Sequence, residues 1–117
     1  MLFICYEKCS TCKKVQGLMD DKGLKYDFRS IKSENPSAKE LKDWHKKSGL
    51  DIKRFFNTSG KIYRENNLKD KLDTMTEEEK YDLLATDGML VKRPMLITDD
   101  KEVFVGPDVK KYVESLW

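Results

Sequence analysis

Long apolar runs are missing from this sequence: no stretch approaches the roughly 20 residues that a membrane-spanning helix requires, so no membrane segment is expected. Histidine is reduced to one residue, His45, and cysteine to three. Without a second Cys pair or a Cys–His set at ligand spacing, no metal site is expected. An odd cysteine count without an export signal also argues against a structural disulfide framework. A surplus of one charge is absent too. The chain has 23 Lys and Arg against 21 Asp and Glu, a formal net charge of +2. Basic pairs such as Lys13-Lys14, Lys46-Lys47 and Lys110-Lys111 sit among acids, which reads as solvated helical surface. No direct nucleic-acid contact is expected from that balance. The opening Met1-Leu2-Phe3-Ile4-Cys5-Tyr6 has no basic n-region and is too short for an h-region, so no signal peptide is expected and a cytoplasmic location follows.

What remains is a chain of 117 residues, 38% hydrophobic and 38% charged, long enough for one domain spanning residues 1–117. Its apolar residues come in short blocks. Residues 2–6 read as a buried strand, followed by a polar turn. Val15, Leu18 and Met19 then fall at helical spacing up to a stop at Gly23. Residues 26–31 alternate apolar and polar, as a half-buried strand does. Strand, helix and strand within about thirty residues form a βαβ unit.

A helical insert, about residues 37–91, comes next. Ser37 with Glu40, and Thr76 with Glu79, are capping boxes that open two helices, carrying Leu41 and Trp44 in one and Leu83 and Leu84 in the other. Shorter helices are expected over residues 51–56 and 67–72, with a loop over 57–60 and a last turn over 89–91. His45 reads as a surface imidazole without a partner. Residues 95–98 and 103–105 form a β-hairpin around Asp99-Asp100-Lys101-Glu102, and Pro107 opens a final helix. The sum is an α/β sandwich around a small mixed sheet of four strands.

On this map Cys9-Ser10-Thr11-Cys12 lies just past the first strand and opens the first helix. The unpaired N–H groups and the positive end of the helix dipole point at the Cys9 sulfur, and lower its pKa from about 8.5 toward 7. Lys8 and Lys13 add to that field, and Ser10 and Thr11 line the first turn. Cys12, close to one turn on, is expected to resolve a disulfide formed at Cys9. Cys-x-x-Cys in this βαβ context is a thioredoxin-like redox signal, with two unrelated thiols or half of a metal site as the alternative. Cys5 reads as a core residue. In a thioredoxin-like sheet, Arg93-Pro94 is a cis X-Pro bond lying against the active cysteine, and Arg93 holds an anion or thiolate beside Cys9. An ordinary surface salt bridge is the alternative for Arg93.

Lys8-Cys9-Ser10-Thr11-Cys12-Lys13, Gly49-Leu50-Asp51, Phe56-Asn57-Thr58-Ser59-Gly60, Asp87-Gly88-Met89-Leu90 and Lys92-Arg93-Pro94 occur in that order. The combination resembles the arsenate reductase–Spx family of thioredoxin-like proteins with a helical insertion, over nearly the whole chain. The resemblance implies that Cys9 is the attacking cysteine and Arg93 an oxyanion clamp. The family's other two arginine positions correspond here to Asn57 and Gly106, with Arg54 and Arg64 nearby in sequence. No bound cofactor is implied. The reductant that the resemblance implies is glutathione, glutaredoxin or thioredoxin, and the chain is expected to be a monomer.

Three functions follow from these residues and their resemblance. The first is a cytosolic thiol–disulfide oxidoreductase using Cys9, Cys12 and Arg93, with Lys8, Ser10, Thr11, Asn57 and Pro94 around them. The second is a glutaredoxin- or thioredoxin-linked arsenate reductase. The third is a Spx-like redox-sensing regulator that binds the C-terminal domain of the RNA polymerase α subunit. A plain structural module is the remaining alternative.

Overall fold

The first strand, β1 (Leu2–Cys5), lies inside the sheet, with the next strand in sequence on one side and a strand from the C-terminal part of the chain on the other. The structure, a computed structural model, describes residues 1–116. Helix α1 (Ser10–Asp21) returns the chain to β2 (Asp27–Ser30), which pairs parallel to β1. Strand β3 (Met95–Ile97) pairs antiparallel on the other side, and β4 (Val103–Val105) completes the hairpin, giving the order β2-β1-β3-β4. Between β2 and β3 lie α2 (Ala38–Ser48), α3 (Lys61–Glu65), α4 (Leu68–Lys71), α5 (Glu77–Thr86) and three 3-10 turns, at Ile52–Phe55, Leu72–Thr74 and Gly88–Leu90. Helix α6 (Pro107–Glu114) closes the chain, with Pro107 in its first turn. This is the thioredoxin-like mixed α/β sandwich that the sequence predicts.

Strand parity divides the core in two. Phe3 and Cys5 of β1 face one side, where they pack with Cys12, Val15 and Met19 of α1, Leu96 of β3, and Val109 and Val113 of α6. Ile4 faces the other side with Met95, Ile97, Val103 and Val105, against Leu41, Trp44, Phe55, Phe56, Tyr81 and Leu84 of the helical segment. The alternation follows from the period-2 geometry of a strand. It also decides which cysteines meet.

Local signals behave as their chemistry requires. Both capping boxes form: Ser37 Oγ accepts from the Glu40 amide at 3.2 Å, and Thr76 Oγ1 accepts from the Glu79 amide at 3.2 Å. Gly49 ends α2 in the left-handed region at φ 69°, which a residue with a Cβ adopts only at a cost. Three details differ from expectation. Helix α3 is additional. Phe28 is 39% exposed, because β2 is an edge strand; its ring lies 6.1 Å from that of Phe3. His45 is not a lone surface imidazole. It is half-buried, with Nδ1 2.6 Å from the Tyr81 hydroxyl and its ring edge-on to Phe55 at 5.6 Å, so it joins α2 to α5.

Glu40 does more than cap α2. Its carboxylate accepts a two-pronged pair of hydrogen bonds from Arg29 on β2, at 2.7 and 2.9 Å. Arg29 also donates to the carbonyls of Glu34 and Asn35, so it pins the β2–α2 connection. The Arg29 hydrogen bonds, opposed by burial and helped by the Ser37 amide and the Arg29 charge, lower the Glu40 pKa to about 2. The stabilisation is therefore present above the usual carboxylate pKa, about 4.3 in an unfolded chain, and disappears as pH falls through about 2. Glu40→Gln should cost on the order of 1 kcal/mol near neutral pH, since the pair is partly solvated, and almost nothing near pH 2. Urea midpoints of both proteins across that range check this; a difference that does not change with pH would contradict it.

Candidate active site

The chain leaves β1 and turns sharply over residues 6–9, where the Cys9 amide donates to the Tyr6 carbonyl at 2.9 Å. Cys9 is then the extended N-cap of α1, at φ −87° and ψ 125°, and its carbonyl accepts the first helical hydrogen bond from Lys13 at 3.1 Å. Its thiol is free and half-buried. It makes no full capping bond, yet the amides of Cys12 and Thr11 are directed at the sulfur. Partial burial is the largest single influence and raises the pKa. The Cys12 amide, the Arg93 guanidinium, the Thr11 amide and the Arg93 charge together outweigh it, and the thiol lies below its ordinary value.

Arg93 reaches this thiol from the far end of the helical segment. Val91 bridges to Phe56, and the Lys92 amide donates to the Phe55 carbonyl at 2.8 Å, which fixes the approach. The Arg93–Pro94 bond is cis, as the sequence predicts, and Pro94 is buried. The guanidinium lies 5.5 Å from the Tyr6 ring centroid, with Nη1 4.0 Å from Met89 Sδ. Arg93 Nε is buried without a hydrogen-bond partner. A buried cationic donor left open is costly unless an anion completes it. The arrangement is thus suited to a thiolate at Cys9 or to an anionic group brought beside it. Tyr6 and Met89, which position the guanidinium, carry no such signal in the sequence. Their proximity to Arg93 depends on pairing between distant segments.

The cysteine pairing differs from expectation. Cys12 is bonded to Cys5, not poised toward Cys9, and the two Cα atoms stand 5.9 Å apart, within the range a disulfide spans. The Tyr6 amide points at Cys12 Sγ at 3.4 Å. The reason is helical geometry. Cys12, Val15 and Met19 fall on one stripe of α1 that faces the sheet, while Cys9, outside the helix proper, points to its mouth. Cys5 is a core residue, as expected, but it is also a bonded one. Both members of the pair are essentially inaccessible, at 0 and 1% exposure.

The surrounding candidates occupy varied settings. Lys8, Ser10 and Thr11 are exposed around the Cys9 turn. The Asn57 amide donates to the Leu90 carbonyl at 2.7 Å, and its side chain donates to the Met89 carbonyl at 3.4 Å, tying this loop to the segment that leads to Arg93. Gly106 adopts φ 65°, and a Cβ there would lie 3.1 Å from Lys92 Cε. Of the nearby arginines, Arg54 is held by Asp108 at 2.8 Å, and Arg64 is exposed on α3. Among the described residues, no three His, Cys, Asp or Glu side chains gather as metal ligands.

In sequence and fold the chain is similar to known proteins. YusI of Bacillus subtilis is 50% identical over 115 residues, covering 98% of this chain and 97% of YusI. A putative ArsC family related protein from Bacteroides fragilis, known as a crystal structure, is 46% identical with a TM-score of 0.87, covering 96% of this chain and 95% of that one. At lower identity, an arsenate reductase of Haemophilus influenzae matches at 28% over 94 residues, 80% of this chain and 79% of the enzyme. The global transcriptional regulator Spx of Staphylococcus epidermidis matches at 26% over 98 residues, 84% of this chain and 72% of the regulator. Residues 5–114 match the ArsC family, and with the agreement of fold and near full-length relatives, this chain belongs to it.

Proposed function

We propose that the protein is a thiol-dependent reductase of the reducing cytoplasm whose nucleophile is the Cys9 thiolate, with Arg93 orienting an anionic group of the substrate and Cys12 as the resolving thiol once it is released from Cys5. The observation that carries this reading is the setting of Cys9. It is a free, reachable sulfur at a helix start, with two amides and a guanidinium favouring its anion. Such a thiolate attacks oxidised sulfur. Electrons come from glutathione, glutaredoxin or thioredoxin.

A disulfide fits the site better than arsenate does. By the family resemblance Asn57 and Gly106 correspond to positions of oxyanion-binding arginines in the arsenate reductases, and Arg54 is engaged by Asp108. Two missing charge-assisted hydrogen bonds, each worth about 1.5 to 3 kcal/mol, leave arsenate roughly a hundredfold or more less favoured. Fully reduced protein mixed with oxidised glutathione should therefore release reduced glutathione much faster than it consumes arsenate. Faster arsenate consumption would make the protein an arsenate reductase. Inertness toward both would favour the regulator reading that similarity to Spx suggests. A pull-down in oxidising and in reducing buffer, with the C-terminal domain of the RNA polymerase α subunit, tests that reading.

A further inference from the structure

We propose that Cys5 is the terminal electron-donating thiol of a three-cysteine relay, in which Cys12 passes from Cys9 to Cys5 and so returns Cys9 to its free form after each turnover. The inference rests on the reading of Cys9 as nucleophile and adds to it the fate of the disulfide. Two features of the structure support it. Cys9 is the free cysteine and is reachable from solvent, whereas Cys5 and Cys12 are buried and already bonded. Cys12 lies between the other two: its sulfur is bonded to Cys5, and its backbone amide, three residues past the N-cap, faces the Cys9 sulfur. On the cytoplasmic location that the proposed function assumes, such a disulfide is as a rule transient and catalytic.

The exchanges balance. The Cys9 thiolate attacks one sulfur of a substrate disulfide, forming a mixed disulfide and expelling the first substrate thiolate. The Cys12 thiolate attacks Cys9 Sγ, forming Cys9–Cys12 and expelling the second. The Cys5 thiolate then attacks Cys12 Sγ, forming Cys5–Cys12 and freeing the Cys9 thiolate. Two electrons leave Cys5 and Cys12, and their two protons end on the two substrate thiols. Neither buried sulfur meets an external disulfide, so Cys9 is the only port. Regeneration runs backward through the same port. Cys9 attacks Cys12, Cys5 is released, and an external thiol reduces the exposed Cys9–Cys12 bond in two exchanges, leaving as its own disulfide.

Trypsin makes the relay legible, since it cuts after Lys8 and Lys13 and so separates Cys5 from the Cys9–Cys12 peptide. Fully reduced protein is given one equivalent of oxidised glutathione, quenched in acid, alkylated and digested. The expected product links peptide 1–8 to peptide 9–13 through Cys12, with about one equivalent of alkylated Cys9 recovered. A closed Cys9–Cys12 loop inside peptide 9–13, or a Cys5–Cys9 link, as the end state overturns the relay while leaving Cys9 chemistry intact. If instead oxidised glutathione is not consumed at all, it is the reductase reading that fails. A second measurement leaves the core untouched. In the oxidised protein Cys9 is alkylated first, and reduced glutathione is then added under native conditions. Reduction of Cys5–Cys12 should slow at least about tenfold; an unchanged rate removes Cys9 as the port and with it the relay.

Discussion

Cys9→Ser is expected to lower the turnover of oxidised glutathione by at least about a thousandfold, because a serine hydroxyl stays protonated where the thiol ionises. Cys5 and Cys12 cannot substitute for it, being buried. Variants that remove either of them should still form a mixed disulfide at Cys9. Arg93→Ala is the graded companion. Burial of Cys9 still raises its pKa in that variant, but the guanidinium no longer opposes it, so the pKa rises. One charge-assisted hydrogen bond is worth about 1.5 to 3 kcal/mol, so reactivity near neutral pH should fall roughly 10- to 100-fold. The oxidised protein provides a clean reading, since its Cys5–Cys12 bond leaves Cys9 as the thiol that alkylates. The wild-type rate should climb with pH and level off below the pKa of free cysteine, with the Arg93→Ala curve displaced upward. A Cys9→Ser protein that still reduces the disulfide at the wild-type rate would remove Cys9 from the chemistry.

The parts of this site that were legible in the sequence are those set by near neighbours. The N-cap position of Cys9 follows from a short strand, a polar turn and a helical stripe, all within twenty residues. The two capping boxes, the hairpin and the proline start of α6 are equally local, and each needs only a few residues of fixed spacing. The Cys5–Cys12 pairing is not what the sequence predicts, although its signal is present there. Cys12 shares the buried stripe of Val15 and Met19, and Cys5 shares strand parity with Phe3, so both face the layer between α1 and the sheet. The Cys-x-x-Cys spacing drew attention to the nearer sulfur. Helix α3 has only Ile62 and Tyr63 as apolar residues in five positions, too few to show a period. The His45–Tyr81 contact and the Arg29–Glu40 pair depend on how β2, α2 and α5 pack, across separations of 36 and 11 residues. Nothing in their immediate neighbourhoods announces them.

Gly88→Ala should be the most damaging single methyl addition, with a loss of several kcal/mol and a fall in melting temperature of roughly 10 to 20 °C. A Cβ at Gly88 would lie 1.7 Å from the Ile31 carbonyl oxygen, 2.6 Å from its carbon and 3.0 Å from Asn35 Cβ. The first two are backbone atoms just past β2, and Asn35 is itself held by its side-chain bond to the Ala85 carbonyl at 2.7 Å. Neither neighbour can rotate away, so a segment must move. The segment that moves carries the site. Asp87 caps the 3-10 turn by accepting from the Met89 amide at 2.8 Å, and the turn leads through Val91 to Arg93. Displacing it withdraws the guanidinium from Cys9, so slower alkylation of the thiol should accompany the lost stability even in the molecules that stay folded. Gly17→Ala is the internal control. It adds the same methyl inside α1, where a Cβ meets nothing within 4 Å. It should stabilise the helix by about 0.5 to 1 kcal/mol. Equal denaturation midpoints for the two variants would mean that the end of β2 and the turn at Gly88 do not approach one another as closely as the structure has them.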